Sequence, residues 1–324
     1  MSIRRSLAIL RAACVATIIA VFPGPAGACA RHLVAGLAIE SAATNPAVRV
    51  LLNGRPARLY FDTGAEHTIL TAAAVGRLAL PTDWLGFQPL WGIGGLSMHF
   101  NARVARFSVG GLVLPEESLA VGDFGATWRD SSDGLLGAEI IGRYDTDIDF
   151  SRGHVGLFRA VRCDHPAPGW KAPFTALKLR DLGPFRHVAI TDARIDGAPV
   201  TATIDTGAER STITRQAALR LGATEAALRA DPASLMIGVG SQTQSYRLHE
   251  FGALMFGGAI WRAPKLMVGP LPPFLGDMLL GVDFLRRHRI WISWANGMVF
   301  VARPADKSDT KQGFAPRSAI RLDP

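Results

Sequence analysis

Residues 53–71 read NGRPARLYFDTGAEHTILT, and residues 196–214 read DGAPVTATIDTGAERSTIT. The two stretches align without a gap at an offset of 143. They share eight of nineteen positions, among them the run Asp-Thr-Gly-Ala-Glu. A second block follows at an offset of 144, where Asp133–Gly137 (DGLLG) matches Asp277–Gly281 (DMLLG). The match continues until Ile148, Gly153 and Val155 fall on Ile292, Gly297 and Val299. Between the blocks each half carries a glycine-rich hairpin signal, Gly92-Ile93-Gly94-Gly95 and Gly238-Val239-Gly240-Ser241. Self-similarity at one long offset is the mark of a duplicated folding unit. The chain therefore reads as two related lobes, residues 31–162 and 176–303. The linker at 163–175 contains Pro166, Pro168 and Gly169, which interrupt regular structure.

Each lobe is β-rich. Val48–Leu52, Ala57–Phe61, Val200–Ile204 and Arg289–Trp294 have strand length and composition, with turn residues between them. Short helices are expected at Thr71–Leu80 and Thr214–Leu221, and after each Leu-Leu-Gly at Ala138–Tyr144 and Val282–His288. The fold class is mainly β with short helices. Among the 324 residues, 48% are hydrophobic and 19% charged, which excludes a disordered chain. The formal charge of +8 falls to +5 without Arg4, Arg5 and Arg11. No dense basic run lies outside the polar tail 304–324, which is expected to be disordered, so no nucleic-acid partner is implied.

Residues 1–28 read as an export signal: Arg4 and Arg5, an apolar stretch from Ala8 to Phe22, then Ala26-Gly27-Ala28 as the cleavage site. The expected location is the periplasm or the exterior. A membrane attachment would need either an uncut signal or a lipid on Cys29. Cleavage removes Cys14 and leaves Cys29 and Cys163, which an oxidising compartment would allow to pair. The rival fate of Cys29 is a degenerate lipoprotein site. No Cys or His pair has ligand spacing, so no metal or other cofactor is expected.

With the Asp-Thr-Gly-Ala turns, the glycine-rich hairpins and the apolar-apolar-Gly blocks in view, the sequence resembles the retropepsin-like aspartic proteases. The likeness covers roughly residues 45–160 and 188–302. It implies a two-lobed acid-protease fold in which Asp62 and Asp205 face each other across a pseudo-twofold axis and activate a water. It further implies that Thr63 and Thr206 lock the turns Asp62-Thr63-Gly64-Ala65 and Asp205-Thr206-Gly207-Ala208 together. Leu135-Leu136-Gly137 and Leu279-Leu280-Gly281 would pack beneath the aspartates. Flaps around Gly92–Gly95 and Gly238–Gly240 would close over an extended polypeptide substrate. The expected enzyme is an aspartic endopeptidase that works as a monomer. The alternative is a retropepsin-fold protein that binds peptide or envelope components without turnover.

The sequence also departs from the family. An acidic residue follows each Asp-Thr-Gly-Ala, namely Glu66 and Glu209. Ala138 and Val282 stand where viral relatives carry the Arg that pairs with it. Asp145, Asp147 and Asp149 alternate along an expected strand and so share a face. The second copy holds Arg289, Trp291 and Ser293 there, which argues for a solvated face over a calcium site. No Gly-x-Ser-x-Gly elbow is present, which removes the commonest serine-hydrolase reading.

Overall fold

A computed structural model describes residues 31–40, 45–122, 132–181, 188–236, 239 and 244–302. The signal-like residues 1–28 and the tail at 304–324 lie outside the described residues, as does Cys29. Cys163 is disulfide-bonded.

Each copy of the repeat opens with a tight hairpin. Strands Ala47–Leu52 and Arg55–Phe61 are joined by Asn53-Gly54, and strands Ile190–Ile195 and Ala198–Ile204 by Asp196-Gly197. Asn53 and Asp196 both sit at φ 51°, and the glycines after them at 80° and 82°. Two consecutive left-handed residues are what a type I′ turn requires, and Asn-Gly and Asp-Gly supply them most cheaply. Asn53 Oδ1 also accepts from the Arg106 N–H at 3.0 Å, and Asp196 Oδ1 from the Ala253 N–H at 2.6 Å. The second strand of each hairpin then runs directly into an Asp-Thr-Gly-Ala turn.

Pairing brings the distant blocks of the repeat together. The short strand Gly134–Leu136 lies parallel to Leu59-Tyr60-Phe61 and antiparallel to Ile69–Thr71. Its copy, Met278–Leu280, lies parallel to Ala202-Thr203-Ile204 and antiparallel to Thr212–Thr214. These strands form the middle of a nine-stranded sheet in each lobe, with the same connectivity in both.

A third sheet, of six strands, joins the lobes. The first lobe gives Leu33–Ala38, His154–Arg159 and Tyr144–Asp149; the second gives Arg289–Ser293, Met298–Ala302 and Phe174–Lys178. In its centre Thr146 pairs with Ile292, Asp147 with Trp291 and Ile148 with Ile290. Shifting every residue by the repeat offset of 144 turns this ladder into itself. A pseudo-twofold axis therefore passes between Asp147 and Trp291. The last strand begins at Phe174, inside the expected linker, so the irregular connection runs from 160 to 173.

The sheet overturns one expectation. Asp145, Asp147 and Asp149 do share a face, but that face is buried, with 5–7% of each residue exposed. Arg289 forks onto Asp147 at 2.9 and 2.6 Å, Ser293 Oγ donates to Asp145 at 2.8 Å, and Ser151 Oγ donates to Asp149 at 2.6 Å. Trp170, from the connection between lobes, covers the group, with Arg289 over its ring at 5.0 Å. The strand is central and capped by the linker, and the alternation of its residues could not reveal that.

The expected helices appear but are shorter. Ala72–Arg77 and Arg215–Arg220 are capped by the Thr71 and Thr214 hydroxyls. Ala138–Ile141 and Val282–Leu285 end after one turn because the chain must enter the central sheet. Helix Glu225–Ala230, capped by Thr224, was not anticipated. The hydrophobic core is continuous between the lobes, running from Leu59 and Phe61 through Ile148 and Ile292 to Ile204 and Leu280.

Candidate active site

The two Asp-Thr-Gly-Ala turns meet head to head. Thr63 N–H donates to Thr206 Oγ1 at 3.0 Å and Thr206 N–H to Thr63 Oγ1 at 3.1 Å. Each hydroxyl then donates onward, Thr63 to the Ile204 carbonyl and Thr206 to the Phe61 carbonyl. Both threonines are fully buried, so every polar atom of the cross-link is satisfied inside the protein.

This cross-link sets the aspartates face to face. Asp62 Oδ1 accepts from Gly64 and Ala65 N–H at 2.9 and 3.0 Å. Asp205 Oδ1 accepts from Gly207 and Ala208 N–H at 2.8 and 3.0 Å. The two carboxyls also hydrogen-bond to each other. A Cβ on Gly64 would stand 2.3 Å from Asp205 Cγ, and one on Gly207 2.2 Å from Asp62 Cγ. Only glycine lets each turn approach the opposite carboxyl.

Burial raises both acids above the ordinary carboxylate range; for Asp205 the charge of Asp62 is the second cause. The backbone N–H groups on each turn oppose that rise. Two carboxyls in contact cannot both ionise cheaply, so the pair holds one proton between them at moderate pH.

Above the turns lies the first hairpin flap, strands Thr82–Gly92 and Gly95–Val104 with Ile93-Gly94 at its tip. Ile93 packs across the molecule against Val188, Ile190, Ala208, Leu275 and Leu279 of the second lobe. Val239 does the reverse, packing with Ala65 against Tyr60, Ile69, Leu90 and Leu135 of the first. The tips touch: Gly94 N–H donates to the Val239 carbonyl at 2.8 Å, and a Cβ on Gly92 would meet that same oxygen at 2.3 Å. Gly238 and Gly240 lie outside the described residues.

Residues 191–287 match a family profile described as "gag-polyprotein putative aspartyl protease", and residues 48–140 match one described as "Aspartyl protease". The chain carries two retropepsin-like aspartyl protease domains. No curated protein matches it.

In both retropepsin-like domains the apolar-apolar-Gly segment lies directly behind the aspartate. Asp62 N–H donates to the Leu136 carbonyl and Asp205 N–H to the Leu280 carbonyl, each at 3.0 Å. Gly137 N–H donates to Thr68 Oγ1 and Gly281 N–H to Ser211 Oγ. Where viral relatives place Arg, the backbone N–H groups of Ala138 and Val282 donate to the Ala65 and Ala208 carbonyls at 2.8 Å.

One residue further on, an acid ties the segment down. Glu139 Oε1 accepts from Thr68 N–H at 2.7 Å. Asp283 accepts from both the N–H and the hydroxyl of Ser211. Burial raises the Glu139 carboxyl. These four residues escaped the sequence reading, which looked for the missing Arg. The signal was there: a hydroxyl at 68 and 211 and an acid at 139 and 283 recur in both copies. Asn45 was also missed, and its Nδ2 donates to the Gly207 carbonyl at 2.7 Å. Its counterpart in the repeat is Val188, so no periodic signal marks it.

Proposed function

We propose that this protein is an exported aspartic endopeptidase, active as a single chain, that hydrolyses peptide bonds with a water activated between Asp62 and Asp205. The observation that carries this is the contact of two buried carboxyls, each held by two backbone N–H groups and joined by reciprocal threonine bonds. The ionised member takes a proton from water as the oxygen attacks the peptide carbonyl carbon. The protonated member gives its proton to the carbonyl oxygen, producing a geminal diol. A proton passed to the peptide nitrogen then lets the C–N bond break, leaving a carboxylic acid and an amine.

The clusters on either side of the dyad suit an extended polypeptide with apolar residues near the cut. Tyr60, Ile69 and Leu90 line one side, and Ile190, Leu275 and Leu279 the other. The flap tips lie closed across the cleft and must part to admit substrate. Export rests on the signal-like residues 1–28 and agrees with the disulfide at Cys163.

A peptide-library cleavage assay tests the proposal. Asp62→Asn and Asp205→Asn should each lose cleavage by a factor of about 10² or more. Persistent cleavage in either variant would remove the dyad from the mechanism. Peptide binding without cleavage by the wild type would support the binding-protein alternative.

A further inference from the structure

The dyad and its turns are nearly symmetric, and symmetry alone leaves a polypeptide free to lie across them in either direction. The surroundings of the second aspartate break that symmetry. A cavity of about 380 Å³ is lined by Glu209, Arg210, Trp261, Lys265, Asp283 and Arg286. Asp283 spends both oxygens on Ser211. Among the described residues Lys265 has one carboxylate partner, Glu250, at 3.7 Å and with both side chains exposed. Among the described residues neither Arg210 nor Arg286 has a carboxylate partner. Trp261, half-buried and tilted on Phe284 with ring centroids 6.1 Å apart, forms an apolar wall.

The first lobe does not repeat this set of charges. The repeat sets Arg210, Asp283 and Arg286 on His67, Glu139 and Gly142, and the strand register sets Lys265 on Ser118. Arg143, the cation next to Gly142 in the chain, is bound to Glu117 at 2.6 Å. Arg210 follows Asp205 by five residues, so its backbone stands within about 17 Å of the dyad. An extended substrate covers that distance in about five residues.

We propose that this cavity binds an acidic side chain of the polypeptide substrate, several residues from the cut and on one side of it only, and so fixes the direction in which the chain is read. Arg210 and Arg286 would fork onto the carboxylate, Lys265 would add charge, and Trp261 would shelter the pair from water. The inference rests on the protease reading above for its consequence, but not for its binding step.

The experiment scans one acidic residue along an otherwise neutral cleavable peptide, with Asn as the control at each position. In the full-length protein an Asp several positions to one side should lower KM about three- to tenfold, and the mirrored position should show no effect. The KM ratio should shrink in high salt. It should fall to about one in Arg210→Ala/Arg286→Ala, and be reduced in Lys265→Gln. Arg49→Ala, in the first lobe and paired with Glu40, should keep the preference.

Cleavage with no acidic preference at any position, or with the same preference on both sides, overturns the cavity's role and leaves the dyad mechanism standing. The cavity is tested without turnover by fluorescence anisotropy of the labelled acidic and neutral peptides on Asp62→Asn/Asp205→Asn. Tighter binding of the acidic peptide that Arg210→Ala/Arg286→Ala removes supports the site, and equal binding overturns it. A failure of cleavage alone would count only against the protease reading.

Discussion

Asp62 and Asp205 are held in a setting that costs the folded protein stability at neutral pH. Burial raises both carboxyls above 3.8. Below that value the dyad is protonated in folded and unfolded chains alike, and it makes no difference to folding. As pH rises, the unfolded chain releases protons that the folded pair retains, so stability falls until the raised folded value is passed. Asp205→Asn removes one of these titrations. The variant should match the wild type in urea midpoint at about pH 3 and exceed it at about pH 7, while losing cleavage. An equal midpoint difference at both pH values would mean that the carboxyls carry no such burden. The sign matters because an acid that merely stabilised the turns would give the opposite trend.

At the scale of elements, the flaps and the apolar-apolar-Gly segments answer differently to the sequence. Both aspartate turns and both Leu-Leu-Gly segments were legible, since their residues recur at fixed offsets and glycine is required where a turn meets a carboxyl. The first flap was legible as Gly92-Ile93-Gly94-Gly95, but its destination was not. That Ile93 crosses to Ala208, Leu275 and Leu279 depends on the relative placement of lobes, which no local pattern encodes. If the closed flap is the catalytic one, Ile93→Ala forfeits about 1–2 kcal/mol of apolar contact in that state. A fall of about tenfold in kcat/KM is then expected, with little change in thermal stability because the tip lies outside the main core. Steady-state kinetics alongside a melting curve separates this from global damage, since a large melting shift would show that the tip supports the fold itself. The acids Glu139 and Asp283 show the other failure. Their recurrence is visible in the sequence, but only the structure shows that each carboxylate, one position after the expected Arg, holds the backbone of Thr68 or Ser211.

The whole molecule raises the question of why two fused lobes pair with each other and not with copies of themselves. Each lobe carries one aspartate turn, one flap and one half of the six-stranded sheet, which is all that a symmetric dimer needs. The register of the central strands decides between the pairings. In the chain, Asp149 lies opposite Arg289 and Asp147 opposite Trp291, with Arg289 forked onto Asp147. Two first lobes joined in that register would set Asp145 against Asp149, Asp147 against Asp147 and Asp149 against Asp145. Six carboxylates would then share one face. Like charges directly opposite are destabilising even in exposed sheets. The aspartate row that looked like a solvated strand thus favours the partner that brings Arg289. The first lobe alone, residues 31–162, should therefore stay monomeric in sedimentation at about 10 µM, and co-expressed with 163–303 it should form a heterodimer that recovers cleavage. Asp145→Asn/Asp147→Asn/Asp149→Asn in the isolated lobe should shift it toward a homodimer. A wild-type lobe that dimerised with itself as readily as with its partner would show that the backbone ladder, and not the charge row, governs the pairing.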